Sequence, residues 1–171
     1  MTRHGFPLGT RRRIIKARVG VIKQHGVESM NIEAILRSKG GEVVTVACDT
    51  RVREAVALLA ERRIGALPVM KDERVVGIMS ERDVIYCLKS EGAAALDFAV
   101  EKVMTAPIIA AELGMPVLAG LSLMTERRIR HLPVVDGGRL VGLVSIGDLV
   151  KYRMDRIEEE AAALRDYIQM A

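Results

Sequence analysis

Residues 77–83 read GIMSERD, and residues 142–148 read GLVSIGD. The two stretches lie 65 positions apart and share a glycine, two apolar residues, a serine and an aspartate in the same order. The same offset aligns ERRI at 61–64 with ERRI at 126–129, without a gap. A repeat of this extent predicts two copies of one structural unit.

The hydrophobic pattern within one repeat alternates between strand-like and helical spacing. Asp49 or Thr50 is the predicted N-cap of the first helix, because short polar side chains accept hydrogen bonds from its free N–H groups. The predicted elements are a strand at 43–46, a helix at 52–63, two strands at 66–70 and 74–79 joined by a polar turn, and a helix after Ser80. Each repeat is therefore β-α-β-β-α.

A single repeat is too small to bury both faces of its own sheet. The predicted fold class is therefore α/β (α+β), with two repeats packed under pseudo-twofold symmetry. Short leading helices are predicted at 32–38 and 98–104, and residues 90–97 are the predicted linker. The predicted domains are a basic, flexible leader at 1–29, repeat 1 at 30–95, repeat 2 at 96–155 and a C-terminal helix extension at 156–171.

The last helix is predicted from Ile146 to Gln169, well past the second repeat. Its apolar residues recur at alternating spacings of four and three, which is a heptad pattern. They are Val150, Met154, Ile157, Ala161, Leu164 and Ile168. The pattern fits both a helix that lies along its own domain and a helix that packs on a partner subunit. The apolar helices at 52–59 and 117–123 are further candidates for a homodimer interface.

Composition and motifs exclude several classes of protein. Half of the residues are apolar, yet no run reaches the roughly 20 residues that span a bilayer. Cys48 and Cys87 have neither a CxxC motif nor a neighbouring histidine, so neither a metal site nor a disulfide framework is predicted. The leader lacks the apolar core of a secretory signal. These observations predict a cytoplasmic location.

The net charge of +4 comes from the N-terminal leader. Residues 1–29 hold seven lysines or arginines against one acid, Glu28, and the rest of the chain is slightly acidic. The leader is a flexible tail, a translation start placed ahead of Met30, or an arm that binds nucleic acid. The first two readings are favoured, because the basic charge does not belong to the folded body.

Motifs of catalysis are missing from the sequence. It has no GxSxG, no HExxH and no Walker-type loop, and neither cysteine has a histidine and an aspartate at a catalytic spacing. The chain is therefore predicted not to be an enzyme, and no catalytic residue is assigned. Its expected output is a contact with another protein.

The repeat order, together with GxxSxxD at both positions, resembles the tandem CBS (cystathionine β-synthase) domain family over residues 30–155. The stretch MTERRIRHLPV at 124–134 resembles small stand-alone bacterial two-CBS proteins that bind AMP or NAD(H). The resemblance implies an energy-sensing regulatory module that binds an adenine nucleotide (AMP, ATP or NAD(H)). It also implies a homodimer that acts on a partner protein.

The resemblance and the residue chemistry together suggest a set of nucleotide-binding residues. Asp83 and Asp148 would hold ribose hydroxyls, because a carboxylate accepts two hydroxyl hydrogens. Ser80 and Ser145 would lie near ribose or phosphate at a helix start. The adenine slots are assigned to Ile64, Ala66, Pro68 and Met79 in repeat 1 and to Ile129, Pro133 and Val144 in repeat 2. The remaining candidates are Arg82, Arg130 and His131 for phosphate, and Thr45 on the first strand.

The serine and aspartate also have a purely structural interpretation, because S-x-x-D ahead of an apolar helix is a capping box. Two copies at one offset favour binding, and both roles can coexist. The second copy departs from the pattern upstream, where IIAA at 108–111 replaces VVTV at 43–46. At least one competent cleft is therefore expected. The alternative function is a constitutive dimerisation or scaffold module with vestigial clefts.

Overall fold

A computed structural model describes residues 14–16, 30–40 and 42–170 of the protein. The rest of the basic leader, and with it the hypothesis of a nucleic-acid arm, lies outside the described residues. The helices are α1 (Ile32–Lys39), α2 (Val52–Arg62), α3 (Glu81–Glu91), α4 (Val117–Arg127) and α5 (Ile146–Met170). The strands are β1 (Ile14–Lys16), β2 (Glu42–Val44), β3 (Val46–Ala47), β4 (Ala66–Lys71), β5 (Arg74–Ser80), β6 (His131–Asp136) and β7 (Arg139–Ser145). Two short 3-10 helices cover Gly92–Asp97 and Val100–Lys102.

The chain folds into two compact units. From residue 30 onward, unit 1 holds residues 44–108, and unit 2 holds residues 30–43 together with those from 109 on. The predicted domain bounds followed the sequence repeats. The compact units and the repeats are therefore two different divisions of the chain.

Unit 1 is built on the three-stranded sheet β3-β4-β5. β3 runs parallel to β4, with Val46 opposite Val69, and β4 and β5 form an antiparallel hairpin. Asp72 and Glu73 turn the hairpin with φ angles of 46° and 65°, because a two-residue turn that matches the strand twist needs positive φ at both positions. The order β3-α2-β4-β5-α3 confirms the predicted β-α-β-β-α repeat.

The core of unit 1 combines strand residues with the apolar side of α2. Its buried members are Val46, Val52, Ala55, Leu58, Leu59, Leu67, Val69, Met79, Val84 and Val100. Four of them lie on α2, at the spacing of one helix face. These side chains therefore stabilise unit 1 itself. A homodimer interface on α2 would have to use the exposed side of the helix.

Unit 2 repeats the hairpin as β6 and β7, which pack with α1, α4 and α5. Its turn residues are Gly137 and Gly138, with φ angles of 54° and 78°. In the place of β3, unit 2 has a single parallel bridge between Ala111 and Val134. Where residues 108–111 depart from the pattern of repeat 1, the equivalent of β3 is reduced to this one bridge. The bridge keeps the pairing of repeat 1, because Ala111 and Val134 are equivalent to Val46 and Val69.

The leading segment of each repeat packs in the compact unit built on the other repeat. α1 begins repeat 1 but lies in unit 2, where the Ile32 N–H donates to the Met115 carbonyl at 2.9 Å. Residues 98–105 begin repeat 2 but lie in unit 1, where the Val100 N–H donates to the Thr50 carbonyl at 2.8 Å. We call α1 and residues 98–105 the exchanged leaders.

Three predicted boundaries are wrong. The N-cap of α2 is Arg51 rather than Asp49 or Thr50, because Thr50 lies in a turn whose carbonyl binds the exchanged leader. The helix predicted at 98–104 is only the 3-10 helix Val100–Lys102, since the two residues before it are extended. The strand predicted at 43–46 is split at Thr45 into β2 and β3.

The long C-terminal helix is confirmed, since α5 begins at Ile146 and ends at Met170. Leu149 anchors its first turns in the core of unit 2. Within the described residues, no helix has the length and apolar character needed to cross a membrane. The same residues contain no group of three or more His, Cys, Asp or Glu placed to hold a metal ion.

Candidate functional site

The serine and aspartate of the first GxxSxxD stretch form a capping box at the start of α3. The Ser80 N–H and hydroxyl donate to Asp83 Oδ2 at 2.7 and 2.5 Å, and the Asp83 N–H donates to Ser80 Oγ at 3.4 Å. These bonds fix the carboxylate beside the free N–H groups of the helix. The other carboxylate oxygen, Oδ1, accepts the Thr105 hydroxyl at 2.9 Å. Asp83 is therefore oriented to accept a hydroxyl group.

An open groove of about 410 Å³ lies beside Asp83 in unit 1. Its walls come from α3 and from the exchanged leader at 98–105, and they include Tyr86, Ser90, Phe98 and Lys102. The Lys102 ammonium lies 5.5 Å from the centre of the Phe98 ring. The groove thus combines aromatic surface with hydroxyl groups and charges of both signs beside Asp83.

The second GxxSxxD stretch builds the same arrangement at the start of α5 in unit 2. The Ser145 N–H and hydroxyl donate to Asp148 Oδ2 at 2.7 and 2.8 Å, and the Asp148 N–H donates to Ser145 Oγ at 3.2 Å. The structural interpretation as a capping box therefore holds for both copies. Capping uses Oδ2 in each copy and leaves Oδ1 for another donor.

Lys39, the last residue of α1, supplies a cation to this second site. Its ammonium donates to Asp148 Oδ2 at 2.7 Å and to the Leu143 carbonyl at 3.2 Å. The Lys39 side chain is 44% exposed and that of Asp148 is 24% exposed, so the pair is open to solvent on one side. Within residues 30–40 and 42–170, the donors to Asp148 all bind Oδ2, and none binds Oδ1. Oδ1 therefore keeps its capacity to accept a further hydrogen bond.

The acidity of Asp148 reflects these contacts. Burial by itself would raise the pKa of Asp148, but the hydrogen bonds from Lys39 and Ser145, with the charge of Lys39, outweigh burial and hold the pKa below its ordinary value. Because the pKa is lower in the folded than in the unfolded chain, the ionised carboxylate stabilises the fold above the ordinary pKa of 3.8. This contribution is lost as the pH falls through the folded pKa.

We expect Asp148→Asn to lower the urea midpoint of unfolding at pH 6 and to have progressively less effect below about pH 4. The reason is that the wild-type chain loses the ionised carboxylate over the same range. Asp136→Asn, which removes an exposed carboxylate at the end of β6, is the matched control. If the urea midpoints of Asp148→Asn and wild type differ by the same amount from pH 6 to pH 3, Lys39 does not lower the pKa of Asp148 in the folded chain.

The other polar candidates of repeat 2 lie at the same helix start. His131 is paired with Ser145 across β6 and β7, and the Ile146 N–H donates to the Arg130 carbonyl at 2.9 Å. Arg130 is exposed and His131 is half-buried. The structure thus brings Arg130, His131 and Ser145 together, as a phosphate site at the start of α5 would require.

The remaining polar candidates are more scattered. Arg82 is exposed in the first turn of α3, next to Asp83. Thr45 is only 2% exposed and lies between β2 and β3. A ligand contact of the Thr45 side chain therefore needs a ligand that enters the interior of the fold, and it stays a prediction.

Most of the apolar candidates contribute to the cores. Met79 and Val144 are fully buried members of the two core clusters. Ala66, Pro68 and Pro133 are also buried on β4 and β6. Ile64 and Ile129 are half-buried and keep exposed surface. Of the predicted adenine slots, these two isoleucines are the members best placed to contact a ring, and the slots themselves stay a prediction.

Two residues that touch the carboxylates, Lys39 and Thr105, were not identified by sequence analysis. Each lies on an exchanged leader, outside the GxxSxxD stretches. The repeat offset pairs Lys39 with Met104 and Thr105 with Gly40, so comparing the repeats reveals neither. Only the packing of the leaders brings them to the helix starts.

Comparison with known proteins is consistent with this geometry. The CBS domain family model matches residues 32–90 and 100–155. The CBS domain-containing protein CBSX3, mitochondrial, of Arabidopsis thaliana is 32% identical over 86% of this chain and 76% of its own length. The chain also matches an inosine-5′-monophosphate dehydrogenase of Thermoplasma acidophilum, at 32% identity, but spans only 27% of that enzyme.

Solved structures show the same fold. The crystal structure of the CBS-domain-containing protein ATU1752 from Agrobacterium tumefaciens has a TM-score of 0.70 and 38% identity, and the match covers 72% of this chain and 98% of that one. The CBS domain pair of protein MJ0100, crystallised with 5′-methylthioadenosine and S-adenosyl-L-methionine, has a TM-score of 0.65 and 25% identity, over 74% of this chain and 97% of that one. The chain therefore carries a pair of CBS domains and belongs to the CBS domain family.

Proposed function

We propose that this CBS pair is a regulatory module that binds an adenine nucleotide and transmits its occupancy to a partner protein. The observation that carries the proposal is the duplicated helix start, where a serine donates to Oδ2 of an aspartate and leaves Oδ1 to accept a further hydroxyl, as Asp83 does from Thr105. A ribose has two neighbouring hydroxyls that donate to such a carboxylate. Each unit therefore offers the elements of a ribose site.

The ligand class is supported by the MJ0100 pair, whose two bound molecules both carry an adenosyl group. A phosphate on the ribose would be attracted to the N–H groups at the start of α5 and to Arg130 and His131 beside them. We include AMP, ATP and NAD(H) in the proposed class. The absence of a catalytic motif in the sequence supports a binding role without catalysis, and the cytoplasm is the proposed compartment.

A thermal-shift screen with AMP, ADP, ATP, NAD, NADH, S-adenosylmethionine and a GTP control tests the proposal. A ligand at 100 times its dissociation constant stabilises the fold by about 2.7 kcal/mol. This corresponds to a rise in melting temperature of roughly 5–10 °C. We expect the shift from adenine compounds and not from GTP. Flat traces at millimolar ligand would contradict the proposal.

Lys39 indicates which adenine compounds the second site prefers. Its ammonium has three N–H donors, of which two go to Asp148 and the Leu143 carbonyl. The remaining donor is available to an anionic group near Asp148. We therefore propose that the unit 2 site prefers phosphorylated nucleosides to adenosine.

Lys39→Met, which copies the residue at the equivalent position 104, should weaken AMP binding about 10-fold and leave adenosine binding nearly unchanged. Isothermal titration calorimetry with both ligands measures this ratio. Lys71→Met removes an exposed lysine at the end of β4 and controls for net charge. An equal loss for AMP and adenosine would contradict a phosphate contact.

The alternative function, a constitutive dimerisation or scaffold module, is favoured by one observation. α3 exposes apolar side chains at Ile85 and Tyr86, which are 63% and 64% exposed. Such residues suit a permanent protein contact. A homodimer is compatible with both functions, and the two are distinguished by the ligand screen, since a scaffold needs no nucleotide.

A further inference from the structure

Helix α5 continues well beyond the core that it helps to form. Its first turns pack in unit 2 through Leu149, with Ile146 and Tyr152 partly buried against the same core. From Ile157 to Met170 every residue is exposed. The apolar residues in more than half of the helix are therefore exposed to water.

The exposed apolar residues of α5 form a heptad seam. Its members are Val150, Met154, Ile157, Ala161, Leu164 and Ile168, at alternating spacings of four and three. The exposed fraction of the seam residues larger than alanine ranges from 43% at Val150 to 71% at Ile168. Met154, Ala161 and Ile168 are a positions, and the other three are d positions. A seam of this spacing matches the surface of another helix of the same kind.

The charged residues beside the seam specify the direction of that second helix. In a parallel pair, each g residue faces the e residue five positions later on the other helix. Glu160 at g then meets Arg165 at e of a second copy, and Arg153 at g meets Glu158 at e. Both pairs are of opposite charge, so an in-register parallel pair is stabilised on both sides of the seam.

An antiparallel pair with full overlap places like charges together. There, g residues face g residues and e residues face e residues. Glu160 would meet Glu160 of the second copy, Glu158 would meet Glu158, and Lys151 would meet Arg165. All three contacts are repulsive, so the charges disfavour this arrangement.

We infer that α5 pairs with α5 of a second copy of this chain as a parallel, in-register, two-stranded coiled coil. The apolar seam supplies the buried contact and the flanking charges supply orientation. The pairing does not depend on nucleotide binding, so it stands or falls separately from the proposed function.

Two alanines on the exposed part of α5 give a matched test. Ala161 lies on the seam and Ala163 lies away from it, and both are exposed. Asp at either position lowers helix propensity equally, but only Ala161→Asp buries two facing carboxylates in the coiled coil. In sedimentation equilibrium of the full chain, we expect Ala161→Asp to raise the dimer dissociation constant at least about 100-fold and Ala163→Asp to leave it unchanged. A monomeric wild type, or equal behaviour of the two variants, would overturn the inference.

The direction of the helices is tested with Ile168→Cys, at an a position near the end of the seam. In a parallel pair the two introduced thiols face each other and should form an intermolecular disulfide under mild oxidation, beyond any background from Cys48 and Cys87 in the wild-type chain. Arg165→Glu should weaken the dimer, and Glu160→Arg combined with Arg165→Glu should restore it. A dimer that forms no disulfide and is strengthened by Arg165→Glu would be antiparallel, and would overturn the inference.

Discussion

Replacing Leu36 with alanine is expected to lower the free energy of unfolding by about 3 kcal/mol. Leu36 is 1% exposed, although it lies on an eight-residue helix at the beginning of the first repeat. Its side chain fills the space beside Gly142 on β7, where a Cβ on the glycine would come within 2.5 Å of it. The loss is large because truncation leaves a cavity in the core of unit 2. Urea unfolding monitored by circular dichroism measures it.

Leu118→Ala is the matched control, because Leu118 on α4 is 55% exposed and should lose less than about 0.5 kcal/mol. A double-mutant cycle with Gly142→Ala adds a test of the contact itself. Gly142→Ala should cost about 1–3 kcal/mol in the wild type and much less in Leu36→Ala, since the obstructing side chain is then gone. Additive effects would show that α1 does not pack against β7.

Removing both carboxylates, by Asp83→Ala and Asp148→Ala together, should weaken adenine-nucleotide binding beyond detection in a calorimetric titration. Each carboxylate accepts charge-assisted hydrogen bonds, and the loss of one is expected to cost about 10- to 100-fold in affinity at its site. Each substitution also removes half of a capping box, for about 1 kcal/mol of stability. Binding and stability are therefore affected to very different degrees.

The single variants separate the two sites. If both sites bind, each single variant should halve the stoichiometry and leave the affinity of the remaining site unchanged. Asp136→Ala, at an exposed position on β6, should change neither value. Unaltered nucleotide binding by the double variant would show that the ribose assignment is wrong.

The repeated parts of the fold were predictable because their sequence patterns are local. The β4-β5 hairpin needs two turn residues between two apolar strands, and both are adjacent in the chain. The start of α3 is defined by Ser80 and Asp83, three residues apart, so its capping box could be predicted from spacing alone. The same reasoning applies to the start of α5.

The contacts of the exchanged leaders were not predictable from local patterns. The ion pair between Lys39 and Asp148 joins residues 109 positions apart. Comparing the repeats conceals this contact, because Met104 stands at the position equivalent to Lys39. The wrong N-cap of α2 has a similar origin, since the Thr50 carbonyl is engaged by Val100 from the other leader. Each of these errors arises where packing between distant segments overrides a local preference.

The exchange of leaders also determines how the chain can be divided. A cut between the repeats, near residue 95, would separate α1 from the hairpin on which Leu36 packs, and would separate Val100 from α2. Each fragment would carry the piece that its counterpart lacks. Two such fragments produced apart would each lack part of a core, yet their mixture holds every part, so we expect the two halves to fold only when they are combined.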